Sequence, residues 1–273
     1  MTGLDWVHGD PAELRAAYSA ERAVLDASAP PEVDIAEDTR PGLGGLRFTP
    51  PEPKGAPILY FHGGSWMLGA PETHRALCAW LAKLSGRRVL SVRYPLAPEH
   101  RYPAQRDAAR GALAAALGAE AGGVFVAGDS AGGAMALWAA EDECVHVRGV
   151  VAFYPAFGVT ASPSIERFGP GHDALHAEAI AAMYERLGVA PKQVQADVPT
   201  SGAPVLVIAA SHDPLFDDST AVFDRLEDRE VTLWVAEGEE HAFLHHGGSR
   251  PNVRDWLTRT GVWMDEREGA AGS

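Results

Sequence analysis

The sequence predicts an α/β fold: a mostly parallel central sheet, helices on both faces and a small helical cap. Three observations carry this. Short apolar runs alternate with helical runs from Ile58 onward, the pattern of a parallel sheet covered on both sides. The 273 residues, 46% of them hydrophobic, suffice for one large core. Third, the apolar run Val124-Phe125-Val126-Ala127 leads through Gly128-Asp129-Ser130-Ala131-Gly132-Gly133 into an Ala-rich helical stretch, the order of strand, tight turn and helix that presents a serine. A single domain over residues 1–273 is expected, with cap elements from about 1–30 and 155–200.

Taken in order, Pro11 to Ala27 reads as a helix, with Asp10 as cap and Pro11 in its first turn. Leu14, Ala17, Tyr18 and Leu25 form its apolar stripe, and Pro30-Pro31 ends it. Val33–Asp38 and Leu43–Thr49 read as strands joined at Arg40-Pro41-Gly42. Ile58–Phe61 is a buried strand and is followed by a Gly-rich loop. Thr73–Leu84 is a helix, Arg88–Val92 a strand, Tyr94–Arg101 a stiff Pro-bearing loop, and Pro103–Leu117 a helix that should stop at Gly118. Val124–Ala127 is the strand before Ser130, and Ala131–Glu141 the helix after it. Further strands are expected at Val147–Phe153, Val205–Ala209 and Val231–Val235, and helices at Asp218–Arg229 and Asn252–Arg267. The segment from Pro155 to Thr200 breaks the alternation; it carries one helix, about Ala174–Leu187, and reads as an insertion over the strand ends. The polar tail from Glu268 to Ser273 is expected to fray.

The net charge of -14 argues against nucleic acid or an anionic membrane as partner, because phosphate binding needs clustered Lys and Arg. No apolar run reaches membrane-spanning length, and Met1 to Asp10 lacks the basic and apolar regions of a signal peptide. Cys78 and Cys144 both sit among apolar neighbours and read as reduced, buried thiols of a cytoplasmic protein. Metal-ligand clusters and nucleotide-binding glycine motifs are missing from the sequence, so no metal and no cofactor are expected.

A serine hydroxyl needs a base to take its proton, and the base needs a group to fix its tautomer. In an open α/β sheet such groups emerge at the carboxyl ends of strands. Val205–Ala209 runs into Ser211-His212-Asp213, and Val231–Val235 runs towards Glu240-His241-Ala242-Phe243. Ser130, Asp213 and His241 therefore form the candidate triad, in the chain order this architecture uses. The rivals are Asp217 and Asp218, which read better as the start of the next helix, His212, which reads as a surface residue, and His245 and His246, one turn past His241. The oxyanion would need backbone N–H donors. The loop His62-Gly63-Gly64-Ser65-Trp66 offers Gly63, Gly64 and Ser65, and Ala131 at a helix N-terminus offers another. Trp66 is a candidate substrate contact, with Phe157, Phe168 and Tyr184 as pocket walls or plain packing. Glu99 and His100 could form a supporting hydrogen-bond network, although the loop reads mainly as structural.

Four blocks together resemble the hormone-sensitive-lipase-like branch of the α/β-hydrolase fold, which includes many bacterial carboxylesterases. They are His62-Gly63-Gly64, Tyr94 to Ala104, Gly128 to Gly133, and the pair Asp213-Pro214-Leu215 with His241-Ala242-Phe243. The resemblance implies a serine carboxylesterase acting on short-chain acyl esters of small molecules, with Ser130 as nucleophile, His241 as base, Asp213 as orienting acid and no cofactor. It gives the Tyr94 to Ala104 loop a supporting role beneath the site. Two departures stand out. Ser65 replaces a customary third glycine and would narrow the pocket, and His-Gly-Gly-x-Trp is also the form seen in kynurenine formamidases, so formamide hydrolysis is an alternative. A non-catalytic ligand receptor on the same fold is a second, but receptors of that kind have lost the base. A homodimer through an exposed edge strand is possible on this fold.

Overall fold

The computed structural model describes residues 4–26, 28–140 and 146–271. Its centre is an eight-stranded sheet of β1 (Asp34–Asp38), β2 (Gly45–Thr49), β3 (Ile58–Phe61), β4 (Val89–Val92), β5 (Val124–Asp129), β6 (Val147–Phe153), β7 (Val205–His212) and β8 (Val231–Glu240). The strand order is β1-β2-β4-β3-β5-β6-β7-β8. The first two strands pair antiparallel and β3 through β8 run parallel. Strands β3, β4 and β5 are buried at every position, as strands covered on both faces must be.

The cover is supplied by α1 (Pro11–Asp26), α2 (Arg75–Ser85), α3 (Ala104–Ala119), α4 (Ala131–Ala139), α5 (Pro163–Phe168), α6 (Ala177–Leu187), α7 (Pro191–Ala196), α8 (Phe216–Arg225) and α9 (Pro251–Ala271). One face of the sheet packs on Leu77 of α2 and Trp263 of α9, among others. The other packs on Leu113 of α3, Trp138 of α4 and Val222 of α8, and continues into Leu14 of α1 and Tyr184 of α6. All nine residues of α4 are buried, so it is apolar on every side. Among the described residues no helix is long and apolar enough to cross a membrane. Cys78 is buried and free, while Cys144 lies outside the described residues.

Several elements differ from expectation, for identifiable reasons. Of the tail expected to fray, residues 268–271 continue α9, with Glu268 accepting from Arg87 Nη2 (2.7 Å) and the Ala56 N–H (2.6 Å), while residues 272–273 lie outside the described residues. Helix α3 runs through Gly118 to Ala119, because one glycine costs a helix only about 1 kcal/mol. Strands β7 and β8 outrun their expected ends because they pair with each other as far as His212 and Glu240. Helix α8 begins at Phe216, so Asp217 and Asp218 fall in its first turn. The 155–200 segment holds three helices, α5 to α7, instead of one. Helix α7 is tied down where Trp138 Nε1–H donates to the Val194 carbonyl (3.0 Å).

Candidate active site

The turn after β5 is built by close approach. A Cβ on Gly132 would stand 2.0 Å from the Phe61 carbonyl oxygen, and one on Gly128 would stand 2.2 Å from the Gly132 carbonyl oxygen. Neither backbone can yield, so only glycine fits. Between them Ser130 takes φ 53°, ψ -119°, a strained conformation that lifts its hydroxyl above the strand ends. Ser130 is 8% exposed.

Asp213 and His241 are each the first residue beyond β7 and β8, whose last paired residues are His212 and Glu240. Neighbouring strands lie about 4.8 Å apart, so the two side chains leave the sheet together. His241 Nδ1 is 2.7 Å from Asp213 Oδ2, and His241 Nε2 is 3.0 Å from Ser130 Oγ. Asp213 is wholly buried and its Oδ1 accepts the Leu215 N–H at 2.8 Å. With Nδ1–H donated to Asp213, Nε2 is left to accept the Ser130 proton. Ala242 takes φ 61°, turning the chain back over the sheet. The structure thus places the three sequence-identified residues within mutual reach.

The rivals do not meet Ser130. His245 and His246 border the same cavity, but His245 is buried with Nε2 3.7 Å from Asp129 Oδ2 and His246 is exposed. Asp217 accepts from Ser164 N–H (2.9 Å), and Asp218 accepts from the N–H groups of Phe157 and Val159. Burial raises the Asp218 carboxyl to about 8, against the lowering effect of those N–H groups. Both acids fasten the start of the 155–200 segment. His212 is exposed beside Phe168.

The oxyanion loop needs one correction. Gly63 points its N–H at Asp129 Oδ1 (3.0 Å) and at His74 Nε2 (3.2 Å), so that donor is already engaged and leaves the expected oxyanion set. The N–H groups of Gly64, Ser65 and Ala131 meet no acceptor among the described residues. Asp129 also accepts from Tyr60 Oη–H at 2.7 Å and contacts His74 Nε2 at 3.3 Å. Burial is the largest single influence and opposes its charge, but His74 and His245 together outweigh it and hold the carboxyl well below the usual range. His74, Asp129 and His245 have ligand atoms within 4.8 Å of one another, yet the Gly63 N–H dipole points into the group and suits a hydrogen-bond scaffold better than a cation. Sequence reasoning quoted Asp129 within its motif and gave it no role; its partners come from β3, the loop after it and the turn just ahead of α2, which no local pattern connects.

Trp66 also differs from expectation. It is wholly buried, stacks on Trp138 with ring centroids 5.8 Å apart, and does not line the cavity at Ser130. Phe157, Phe168 and Tyr184 do not line it either. Phe157 is core, and Tyr184 Oη accepts the Gly158 N–H. Ser65 does line the cavity and takes φ 55°, the left-handed region that favours glycine. Glu99 does not build a network under the site: it is exposed and pairs with Arg15, which also donates to the Met67 and Ala97 carbonyls. Support instead comes from Tyr94, whose ring stacks on His62 at 4.2 Å and whose hydroxyl donates to the His62 carbonyl.

The cavity has a volume of about 340 Å³ and opens on Ser130 and His241. Its walls include Tyr18 and Arg22 of α1, Gly64 and Ser65 of the oxyanion loop, and His172 and Leu175 of the 155–200 segment. Both α1 and the 171–175 stretch lie in the segments expected as cap elements, about 1–30 and 155–200, but which of their residues face the cavity carried no sequence signal, because their docking is a tertiary event.

Two histidines near the site couple folding to pH. Burial, with the nearby His74, lowers His62 to about 3, and burial, with His241, lowers His172 to about 4. The unfolded chain protonates both near 6.5, whereas the native state does not. Their contribution is therefore intact above pH 6.5 and is lost as pH falls from there towards 4 and 3. Thermal unfolding should show Tm dropping between pH 7 and 5, and His62→Gln should make that drop shallower. An unchanged slope in the variant would contradict this assignment.

Comparison with known proteins agrees with this architecture. Residues 58–245 match a family model described as alpha/beta hydrolase fold. The chain is 32% identical over 242 residues to an ethyl acetate hydrolase of Pseudomonas putida, covering 78% of this chain and 76% of the relative. It is 30% identical over 266 residues to an acetyl esterase of Salmonella schwarzengrund (strain CVM19633), covering 87% and 81%. Among solved structures, an esterase of Pyrobaculum calidifontis superposes with a TM-score of 0.81 at 28% identity, covering 94% of this chain and 93% of that one.

Proposed function

The chain belongs to the alpha/beta hydrolase fold family and is a carboxylesterase of its hormone-sensitive-lipase-like branch, and from that footing we propose that it hydrolyses acetyl and other short-chain esters of small molecules with Ser130, His241 and Asp213 as its triad. The observation that carries the residue assignment is the pair of contacts at His241, 3.0 Å to Ser130 Oγ and 2.7 Å to Asp213 Oδ2. Short acyl groups suit the cavity, whose volume of about 340 Å³ lies at the small end of the range for ligand sites.

In the proposed reaction Ser130 Oγ attacks the ester carbonyl carbon while its proton passes to His241 Nε2. The buried Asp213 carboxylate stabilises the imidazolium through Nδ1–H. The carbonyl electron pair becomes an oxyanion held by the N–H groups of Gly64, Ser65 and Ala131, each such donor being worth roughly a hundred- to thousand-fold in rate. Collapse breaks the ester C–O bond, and His241 returns the proton to the departing alcohol. Water then repeats the cycle on the acyl-Ser130 ester and releases the acid. No step calls for a metal or a cofactor. Helix α1 and the 155–200 segment supply cavity walls on this reading and together act as the cap. The buried thiol of Cys78 suits a reducing, cytoplasmic setting, and the ten-residue edge strand β8 is where two copies would pair.

The formamide alternative rested on Trp66, which lies in the core and away from the substrate cavity. An acyl-length series of p-nitrophenyl esters, run beside N-formylkynurenine, tests the substrate reading. The expected optimum in kcat/KM lies at the acetyl to butyryl esters, with a fall of roughly tenfold or more by octanoyl, since methylenes beyond the cavity's capacity must displace its walls at a cost of about 1–3 kcal/mol. A long-chain optimum, or faster turnover of the formamide, would overturn it.

A further inference from the structure

One wall of the cavity carries a cation that nearby acids attract at a distance but that no carboxylate among the described residues hydrogen-bonds. Arg22, on α1, is half-buried and lines the same cavity as Ser130 and His241. Its guanidinium lies over the Tyr18 ring, 4.9 Å from the centroid. Its Nε is shut off from solvent and has no hydrogen-bond partner. Two turns earlier on the same helix Arg15 is held by both oxygens of Glu99; among the described residues no carboxylate hydrogen-bonds Arg22 in that way.

The acids of the cavity wall, Glu21 and Asp129, favour the charged form of Arg22 through space without hydrogen-bonding it. Asp129 already accepts from Tyr60 and Gly63 and contacts His74. Glu21 is exposed on the adjacent position of the helix, and consecutive helical residues do not face one another. Asp173 lies on the opposite wall, in the 171–175 stretch. The charge of Arg22 nevertheless reaches the site: after burial, it is the largest influence lowering His245. A partly desolvated guanidinium with an unused donor is a receptor for a carboxylate, which it binds through a planar, charge-assisted pair of hydrogen bonds.

We infer that the substrate is an anionic ester, the short-chain acyl ester of a small hydroxy acid, with its carboxylate held by Arg22 while its acyl carbonyl is presented to Ser130. The inference rests on the short-acyl esterase reading above. An acetyl group carries no charge, so the anion must belong to the alcohol half. Hydrolysis breaks the acyl C–O bond, consumes one water and releases acetate and the free hydroxycarboxylate. A step that acylates the hydroxyl of a hydroxy acid must therefore supply the substrate.

The test compares acetoxyacetate with its neutral isostere acetoxyacetamide, using p-nitrophenyl acetate as reference. In the wild type kcat/KM should favour the anion over the amide by roughly tenfold or more, as a charge-assisted pair allows. Arg22→Gln should reduce that ratio by roughly tenfold, mostly through KM for the anion, and Arg22→Lys should recover part of it. Raising the salt concentration should lower the wild-type ratio and leave that of Arg22→Gln flat. A wild-type preference for the amide, or a ratio unmoved by Arg22→Gln, overturns the inference while the esterase reading stands. Failure to turn over p-nitrophenyl acetate would instead strike the esterase reading itself.

Discussion

Ser130→Ala should lower kcat for p-nitrophenyl acetate by roughly 10⁴- to 10⁶-fold, the range set by triads from which the nucleophile has been removed. On the proposed mechanism the hydroxyl oxygen forms the acyl-enzyme bond, and among the described residues no neighbouring side chain offers a replacement at the same place. The deletion releases only His241 Nε2, and His241 borders the open cavity, so no polar group is left shut away from solvent. The strained φ of 53° is already borne by a residue with a Cβ, and alanine adds nothing to it. The variant should therefore fold, with Tm within about 3 °C of the parent. Retained ester hydrolysis in a folded variant would remove Ser130 from the mechanism.

Asp213→Asn should cost about 10⁴-fold in kcat, and the reason lies in the geometry on both sides of the carboxylate. Oδ1 accepts the Leu215 N–H and Oδ2 faces His241 Nδ1. An amide at this position must keep its oxygen towards Leu215, since turning it would set NH₂ against N–H. The NH₂ then faces Nδ1 and forces that nitrogen to accept. The ring proton moves to Nε2, where it points at Ser130 and cannot take a proton from it. Volume and burial are unchanged, so stability should fall far less than activity. A pH–rate profile of the variant separates the two effects, because raising pH cannot restore the lost tautomer. Activity within tenfold of the wild type would show that Asp213 does not orient His241.

The parts of the fold that could be read from the sequence are those whose cause is local. Ile58–Phe61 and Val147–Phe153 begin and end where their apolar runs do, and the turn at Ser130 is legible because Gly128 and Gly132 are forced by contacts within one strand–helix unit and its neighbour β3. Asp213 and His241 were legible for a related reason: residues that follow parallel strands emerge on one edge of the sheet. The short helices α5 and α7, six residues each, are too brief to show a helical period. The engagement of Gly63 with Asp129 joins residues 66 positions apart, and nothing local to either residue announces it. Trp66 looked like a substrate contact because it follows the glycine loop, yet with φ 56° the backbone turns its side chain into the core against Trp138. Arg22 was invisible for the same physical reason: a helix pattern says which face is apolar, not which cavity its polar shoulder will border.

The central claim is that Ser130 is the nucleophile activated by His241. It is tested most directly by treating the protein with diethyl p-nitrophenyl phosphate and locating the adduct by peptide mass mapping. Ser130 Oγ should displace p-nitrophenolate from phosphorus, its proton passing to His241, and the diethylphosphoryl group should remain on Ser130. One equivalent of p-nitrophenolate should be released per chain, esterase activity should be lost in proportion, and the Ser130→Ala variant should stay unlabelled. An adduct on another residue that accounts for the lost activity, or full activity with Ser130 modified, would contradict the account.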